Sequence, residues 1–321
     1  MPKLLIMYSN GAPTDEHVGR LERLGPGVRV AVARDESGAM REAADAEVFL
    51  GHRYLAQCLP HARRLKWLLS TAAGVDHVLT PALRSVAPIV TRAPIFSDAI
   101  AFHALTIALS VSRRIPQAVA TQGQRRWASQ DEFDVLPIPR VAMVIGLGYI
   151  GRTVAGLLRG MGMKVIGVDR LPDPRTLECC DEFRPTDRWR DSLDQVDLCF
   201  MAIPGSPENR HFVNDAALSA LPKHAVLVNI GRGMTVDHAA LLRRLRAGLL
   251  GGAALDVLDE VPDELKQQLW TEPRVLITPK LCSFVPDRQP RLEAHVESQV
   301  KRYLAGEALE HLVNLITPTA A

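Results

Sequence analysis

The sequence predicts an α/β protein built on parallel sheets, and three observations predict it. Short apolar runs alternate with helical patterns from the N-terminus to about residue 91. A second alternation of the same kind occupies residues 141 to 278. At its head stands VAMVIGLGYIGRTVAGLLRGMGMKVIGVDR, residues 141–170, where a glycine-rich turn joins an apolar run to an amphipathic stretch. The length of 321 residues suits about two domains.

In chain order, Lys3–Tyr8, Val28–Ala33, Glu47–Leu50, Lys66–Ser70 and Ile89–Thr91 are runs of strand length and strand composition. Helices are expected between them near 14–24, 38–44 and 54–63. Asp98 is placed to cap a long helix from Ala99 to about Gln117, apolar until Arg113, as a helix buried between two domains would be. Trp127 to Pro139 has the character of a connection, with Pro137 and Pro139 just ahead of the next strand. Past Asp169, strands are expected at Val196–Ile203, Ala225–Ile230, Gly252–Val257 and Val275–Thr278, with a clear helix from Thr235 to Ala247. A last amphipathic helix runs from Pro290 to about Leu304.

Composition excludes several function classes. Apolar content of 47% and charged content of 23% are those of a globular protein with a sizeable core. Formal net charge is +2 with basic residues scattered among acids, so neither nucleic acid nor an anionic membrane is expected as a partner. The opening MPKLLIMYSNGAP holds an apolar run too short for a signal peptide, and no segment approaches the ~18 apolar residues of a membrane span. Cys58, Cys179, Cys180, Cys199 and Cys282 are odd in number and lack C-x-x-C spacing, which points to a reduced cytoplasm and no metal site. The adjacent Cys179 and Cys180 read as residues of an exposed loop.

Within residues 141–170, Gly146, Gly148 and Gly151 stand at G-x-G-x-x-G spacing. Gly146 would permit a tight turn, Gly148 would let the backbone approach a pyrophosphate, and Gly151 would let the helix close onto the strand. The amides of Tyr149 and Ile150 would face that pyrophosphate with the helix dipole behind them. Asp169, 21 residues beyond Gly148, is placed to accept from the adenosine ribose hydroxyls, which favours NAD. Arg170 beside it could stack on adenine or attract a 2′-phosphate, which keeps NADP open.

Ligands of an open parallel sheet bind beyond the carboxyl ends of its strands. Those ends carry Pro204 to Asn209, Gly231-Arg232-Gly233, Leu258 to Pro262, and Pro279 to Ser283. Arg232 between two glycines is the most informative, because a guanidinium with space around it can grip a carboxylate through two hydrogen bonds. In the first half, Thr71 to Asp76 leaves its strand through a small-residue turn whose amides can face a ligand. His103 on the long helix is more simply a satisfied core residue than a catalyst. His77 reads as structural, and Arg92 and Trp127 as surface or interface residues bordering a pocket.

Taken together, STAAGVDHV, SDAIAFHALTIALSVSRR, GLGYIG, VDLCFMAIPGSPENRHFVN, LVNIGRGMTVDHAALLRRLRAG, GAALDVL and VLITP give the chain a resemblance to the D-isomer-specific 2-hydroxyacid dehydrogenase family. The resemblance runs nearly end to end. It implies a Rossmann cofactor domain, residues 98–284, inserted into a flavodoxin-like substrate domain formed by 1–97 and 285–321. It implies a homodimer acting on a small 2-oxo or 2-hydroxy acid. Residue by residue, Arg232 would bind the substrate carboxylate and polarise its carbonyl, with the amides of Ala73 and Gly74 on the other carboxylate oxygen. Asp256 would bond the nicotinamide carboxamide, Ile203, Pro204 and Ile230 would line the cofactor, and Asn209 would sit by the pyrophosphate.

Three positions depart from the family pattern. Lys280 stands where the resemblance calls for a histidine acid/base, and Val261 where it calls for the glutamate that orients that histidine. Ala101-Phe102 replaces the usual Ala-Glu on the long helix. Lys280 could take the proton-transfer role if burial beside Val261 and repulsion from Arg232 favoured its neutral form. It could equally bind a second anionic group, pair with Glu260, or mark a site that lost catalysis. A dinucleotide-sensing binding protein on the same scaffold is the alternative to an oxidoreductase.

Overall fold

The computed structural model describes residues 2–9 and 11–315. Residues 1 and 316–321, expected at the ends of the split substrate domain, lie outside them. The described chain divides into two compact units: residues up to Phe96 together with those from Phe284 on, and Ser97–Ser283.

In the first unit, β1 (Lys3–Ile6), β2 (Arg29–Val32), β3 (Val48–Leu50), β4 (Trp67–Ser70) and β5 (Ile89–Arg92) form a parallel sheet in the order β2-β1-β3-β4-β5. Helices α1 (Asp15–Glu22), α2 (Glu36–Ala43), α3 (Leu55–Cys58) and α4 (Pro81–Val86) make the crossovers. Alternation along the strands explains why both faces are covered. Leu5, Phe49 and Leu68 enter one apolar cluster, while Leu4, Ile6, Val48, Leu50, Trp67 and Leu69 enter another. The C-terminal helix Arg288–Ala305 belongs to this unit because Leu292, Val296 and Val300, four residues apart, fill the second cluster. Its Glu293 and Glu297 also bind Arg20 of α1, at 3.2 and 2.8 Å.

The second unit opens with α5 (Ser97–Ser112) and α6 (Ile115–Gly123). The single helix expected from Ala99 to Gln117 is therefore two. Arg114 breaks it in a left-handed conformation, φ 55°, and its buried guanidinium donates to the carbonyls of Asp134 and Gly251 at 2.7 and 2.8 Å. Pro116 then restarts a helix where a missing N–H does no harm. The helix also starts two residues early, at Ser97, so Asp98 lies in its first turn and does not cap it.

A seven-stranded parallel sheet follows: β6 (Val141–Ile145), β7 (Lys164–Asp169), β8 (Glu182–Pro185), β9 (Leu198–Met201), β10 (Val226–Asn229), β11 (Gly252–Leu255) and β12 (Val275–Ile277), in the order β12-β11-β10-β9-β6-β7-β8. The intervening helices are α7 (Tyr149–Gly160), α8 (Pro174–Glu178), α9 (Asp215–Ala220), α10 (His238–Arg246) and α11 (Asp263–Trp270). The helix expected from Thr235 starts at His238, because the Asp237 side chain caps it by accepting from the Ala240 amide. Strand β8 was not expected from sequence; EFRP is an edge strand with every residue only half-buried. Among the described residues no helix is long and apolar enough to cross a membrane.

Candidate active site

The strands of the second sheet are all parallel, so the residues that follow them share one edge of it. Gly146 leaves β6 at φ 93°, where a side chain is strained. A Cβ on Gly151 would be driven into the Gly146 carbonyl oxygen, so glycine there lets α7 close onto the turn. Gly148 differs from both. It is the exposed N-cap residue of α7, and a Cβ built on it meets no heavy atom within 4 Å. Nothing in the protein itself demands glycine at 148. The space left there adjoins the amides of Tyr149 and Ile150 at a helix start, which fits a dinucleotide pyrophosphate.

Asp169 ends β7 and turns its carboxylate onto that turn. Its Oδ2 accepts from the Leu147 amide at 2.8 Å and its Oδ1 from the Arg170 amide at 2.7 Å. Each oxygen keeps a lone pair for a ribose hydroxyl. Arg170 is exposed beside it. Cys179 and Cys180 are not in an exposed loop. Cys180 is buried, and a Cβ on Gly167 of β7 would lie 2.9 Å from its Sγ, so the thiol packs against the glycine of that strand. All five cysteines are free thiols.

After β9, Ile203 is buried and Pro204 half-buried. Asn209 is buried too, and its amide donates to the Pro204 carbonyl at 3.0 Å. That donor braces the loop and does not stand out toward a ligand. After β10, Ile230 is buried and Arg232 half-buried, its Nη1 donating to the Gly231 carbonyl at 2.8 Å. The glycines beside Arg232 serve close packing more than they clear space for its guanidinium. A Cβ on Gly231 would lie 2.7 Å from the Ile203 carbonyl oxygen, and one on Gly233 would strike that of Asp259. Two residues that sequence reasoning passed over fix the Arg232 backbone. Asn229 Nδ2 and the Thr235 hydroxyl donate to its carbonyl at 2.9 and 2.7 Å. A fully buried asparagine ending the apolar run AVLVN was the available signal.

The loop after β12 holds the largest departures from expectation. Asp256, 1% exposed, accepts from the Thr278 hydroxyl at 2.6 Å and the amides of Leu281 and Cys282 at 2.8 and 3.2 Å. Its backbone carbonyl accepts from the Lys280 amide at 3.0 Å. Its carboxylate thus organises the turn, with its acceptor capacity spent largely on the protein's own donors. Burial, then a hydrogen bond to Asp256, pushes the Cys282 thiol up. Lys280 itself is exposed and left-handed, φ 55°. The burial expected to favour its neutral form is therefore not supplied. Nor does it pair with Glu260, whose carboxylate instead binds Arg210 at 2.6 Å. Val261 is buried in the main apolar cluster of this unit. His103 of α5 is more than a core residue, since its Nε2 lies 3.1 Å from the Thr278 hydroxyl and 3.5 Å from Asp256.

Ala73 and Gly74 belong to the first unit, in the half-buried turn after β4. The turn is tied at its two ends. The Ala72 carbonyl accepts from the Ala93 amide at 3.1 Å, and His77 Nε2 meets His52 Nε2 at 3.1 Å. Behind them, His52 Nδ1 faces the buried Ser70 hydroxyl at 3.2 Å. Burial, then the neighbouring His77, pushes the His52 imidazole down to about 4. Arg92 ends β5 in the same unit, and Trp127 of the second unit is fully exposed. Among the described residues no group of three or more His, Cys, Asp or Glu could hold a metal ion.

A parallel sheet whose glycine turn, helix start and terminal acid lie together defines a dinucleotide-binding domain of the doubly wound class. The sequence profile of the D-isomer specific 2-hydroxyacid dehydrogenase NAD binding domain matches residues 105–281, more than half of the chain. The chain belongs to that family. It is 28% identical over 299 residues to the D-3-phosphoglycerate dehydrogenase of Methanocaldococcus jannaschii, covering 92% of this chain and 56% of the relative. The chain thus spans little more than half the length of that relative. The glyoxylate reductase of Thermococcus kodakarensis is 28% identical over 276 residues, covering 83% of this chain and 81% of the relative. Among solved structures, the NADPH-dependent glyoxylate/hydroxypyruvate reductase of Sinorhizobium meliloti, with NADP and sulfate, superposes with a TM-score of 0.80 at 26% identity. That superposition covers 98% of this chain and 99% of the other.

Proposed function

We propose that this chain is a nicotinamide-dependent oxidoreductase that reduces a small 2-oxo acid to the 2-hydroxy acid. The observation that carries the reading is Gly148, a glycine its own fold does not require, set at a helix N-terminus beside Asp169. When bound, the nicotinamide cofactor supplies the hydride that reaches the substrate carbonyl carbon. The turn amides of Tyr149 and Ile150 hold its pyrophosphate, and Asp169 accepts from the ribose hydroxyls, with NAD(H) preferred to NADP(H). Arg232 grips the substrate carboxylate through two parallel N–H donors and withdraws charge from the adjacent carbonyl. The first unit offers the amides of Ala73 and Gly74 to a carboxylate.

The developing alkoxide needs one proton, and Lys280 is assigned to deliver it. In the reduction direction the protonated side chain is itself the acid required, so an exposed lysine serves without the burial that a general base would need. Full exposure of Trp127, with Phe102 at 72% and Ile138 at 77%, supports a homodimer formed through the second unit. The free cysteines support a reduced, cytoplasmic setting.

A second reading is a dinucleotide-sensing binding protein, favoured by the apolar Val261 where an orienting carboxylate is implied. A panel of 2-oxo acids, followed through the absorbance of reduced nicotinamide, separates the two. Turnover of one or more establishes the oxidoreductase, and turnover lost in Lys280→Met assigns the proton to lysine. Cofactor binding with no turnover across the panel establishes the sensor and rejects the reading argued here.

A further inference from the structure

Asp256 is a carboxylate with a fully buried side chain, and burial of that charge is costly unless donors or a counter-charge surround it. Three of its donors come from one short stretch: the Thr278 hydroxyl and the amides of Leu281 and Cys282. Lys280 lies inside that stretch, and its left-handed backbone is a conformation a lysine does not adopt by preference. The turn that presents Lys280 is therefore fixed from outside, by Asp256.

A carboxylate only accepts hydrogen bonds, so the hydroxyl proton of Thr278 points at Asp256 Oδ1, 2.6 Å away. That leaves the lone pairs of Thr278 Oγ1 for another donor. His103 Nε2 stands 3.1 Å from it, so this nitrogen carries the hydrogen. The result is a directed chain from His103 to Thr278 to Asp256. Among the described residues, His103 is also the one basic side chain within ion-pair distance of Asp256, at 3.5 Å. It reaches the turn from α5, where it is a lone imidazole in the apolar run AIAFHALTIALSV.

We infer that His103 is a positioning residue for the turn bearing Lys280, acting through the Thr278 hydroxyl on the Asp256 carboxylate. Its meaning for the reaction rests on the role of Lys280 proposed above, but its geometry does not. His103 touches no reacting atom; it keeps Thr278 oriented as a donor, which keeps Asp256 facing the amides of the turn.

Amide hydrogen exchange followed by mass spectrometry on peptides spanning 278–284 of the whole chain tests this without reference to activity. His103→Ala should speed exchange of the amides of Lys280, Leu281 and Cys282 by about tenfold, as expected for weakening a charge-assisted hydrogen-bond set. Thr278→Val should do the same, and the double variant should do no more than either, because both break one chain. His103→Gln, whose side-chain amide can offer an N–H near the place of Nε2, should restore protection. In turnover, His103→Ala should lower kcat and leave KM for the oxo acid, set by Arg232, in place. Unchanged exchange at 280–282 in Thr278→Val and His103→Ala overturns the inference, as do additive effects or a His103→Gln variant as unprotected as His103→Ala. If His103→Ala does not fold, Thr278→Val and His103→Gln decide alone, the first losing protection and the second keeping it. Absence of turnover on every oxo acid would remove the role given to Lys280 and leave the exchange result standing.

Discussion

Replacing Gly148 and Gly151 separately by alanine should split cofactor binding from folding. The two glycines are three residues apart in one turn, but their surroundings differ. A Cβ at 151 is driven into the Gly146 carbonyl oxygen, whereas one at 148 meets no protein atom within 4 Å. For Gly151→Ala, α7 must lift from the turn, an overpacking cost of about 1–3 kcal/mol. In a unit of this size that lowers Tm by about 2–4 °C per kcal/mol. For Gly148→Ala the fold sees two small opposed effects: a poorer N-cap, and a less flexible unfolded chain. These leave about 0.5 kcal/mol or less. The methyl group instead enters the space assigned to the pyrophosphate. The same overpacking range then falls on binding, and raises Kd about 5- to 150-fold. Differential scanning fluorimetry gives the Tm values, and titration of reduced nicotinamide fluorescence gives Kd. Gly148→Ala with wild-type affinity for both reduced cofactors, or with a Tm as low as that of Gly151→Ala, would refute the reasoning.

Other consequences are open to equally direct measurement. Arg232→Ala should lose about a hundredfold or more in kcat/KM with Tm unchanged, since it removes the bidentate carboxylate contact proposed for this side chain while Asn229 and Thr235 still hold the backbone. Near-normal kcat/KM would contradict the assignment. NADH should bind more tightly than NADPH because a 2′-phosphate meets the Asp169 carboxylate, and Asp169→Ser should narrow the ratio; tighter binding of NADPH by the unaltered protein would reject this. His238, at the start of α10, is pushed down to about 4 by burial from an ordinary value of 6.5. The unfolded chain therefore takes up this proton first. Its contribution to stability is whole above about pH 6.5 and is lost as pH falls toward 4. Urea midpoints measured across that window should fall less steeply in His238→Gln, and an unchanged slope would count against the burial argument.

The fold was legible where period and composition agreed. WLLS is buried throughout and VAMVI from its second residue on, and such short, mainly apolar runs bounded by turns suit a strand covered on both faces. Boundaries were less legible where a single side chain decides them. Arg114 ends α5 because two distant carbonyls accept its guanidinium, and a sequence window cannot show those acceptors. The edge strand EFRP carries no apolar alternation, so only its pairing with β7 makes it a strand. Around the candidate site, sequence spacing singled out Gly148, Asp169 and Arg232 because the role expected of each rests on its own chemistry toward a ligand. It could not show the hydrogen bonds that tie Asn209, Asp256 and His103 to other protein groups, because those pairings exist only in the folded chain.

The same distinction governs whether the family's implied histidine–glutamate pair could be rebuilt. At position 280 the backbone is left-handed, a region in which histidine is found several-fold more often than most side chains, so Lys280→His should fold. Position 261 is different. Val261 is 6% exposed and lies in the apolar cluster that includes Leu269 and Leu255. A glutamate there brings a carboxylate among hydrocarbon, at a cost of about 3 kcal/mol unless a partner reaches it. Val261→Glu should therefore lower Tm by about 6–12 °C. Lys280→His introduced beside it relieves that loss only if the imidazole comes near enough to share the charge. The loop before α11 is built around an apolar anchor, and Glu260, which precedes it, already faces Arg210. Lys280→His alone should therefore show no gain on glyoxylate or hydroxypyruvate over the unaltered protein, and the double variant should melt low and likewise show no gain on either. A double variant with wild-type Tm and new turnover of glyoxylate would show instead that the loop still accepts the pair, and that Lys280 replaced a histidine without any rebuilding around it.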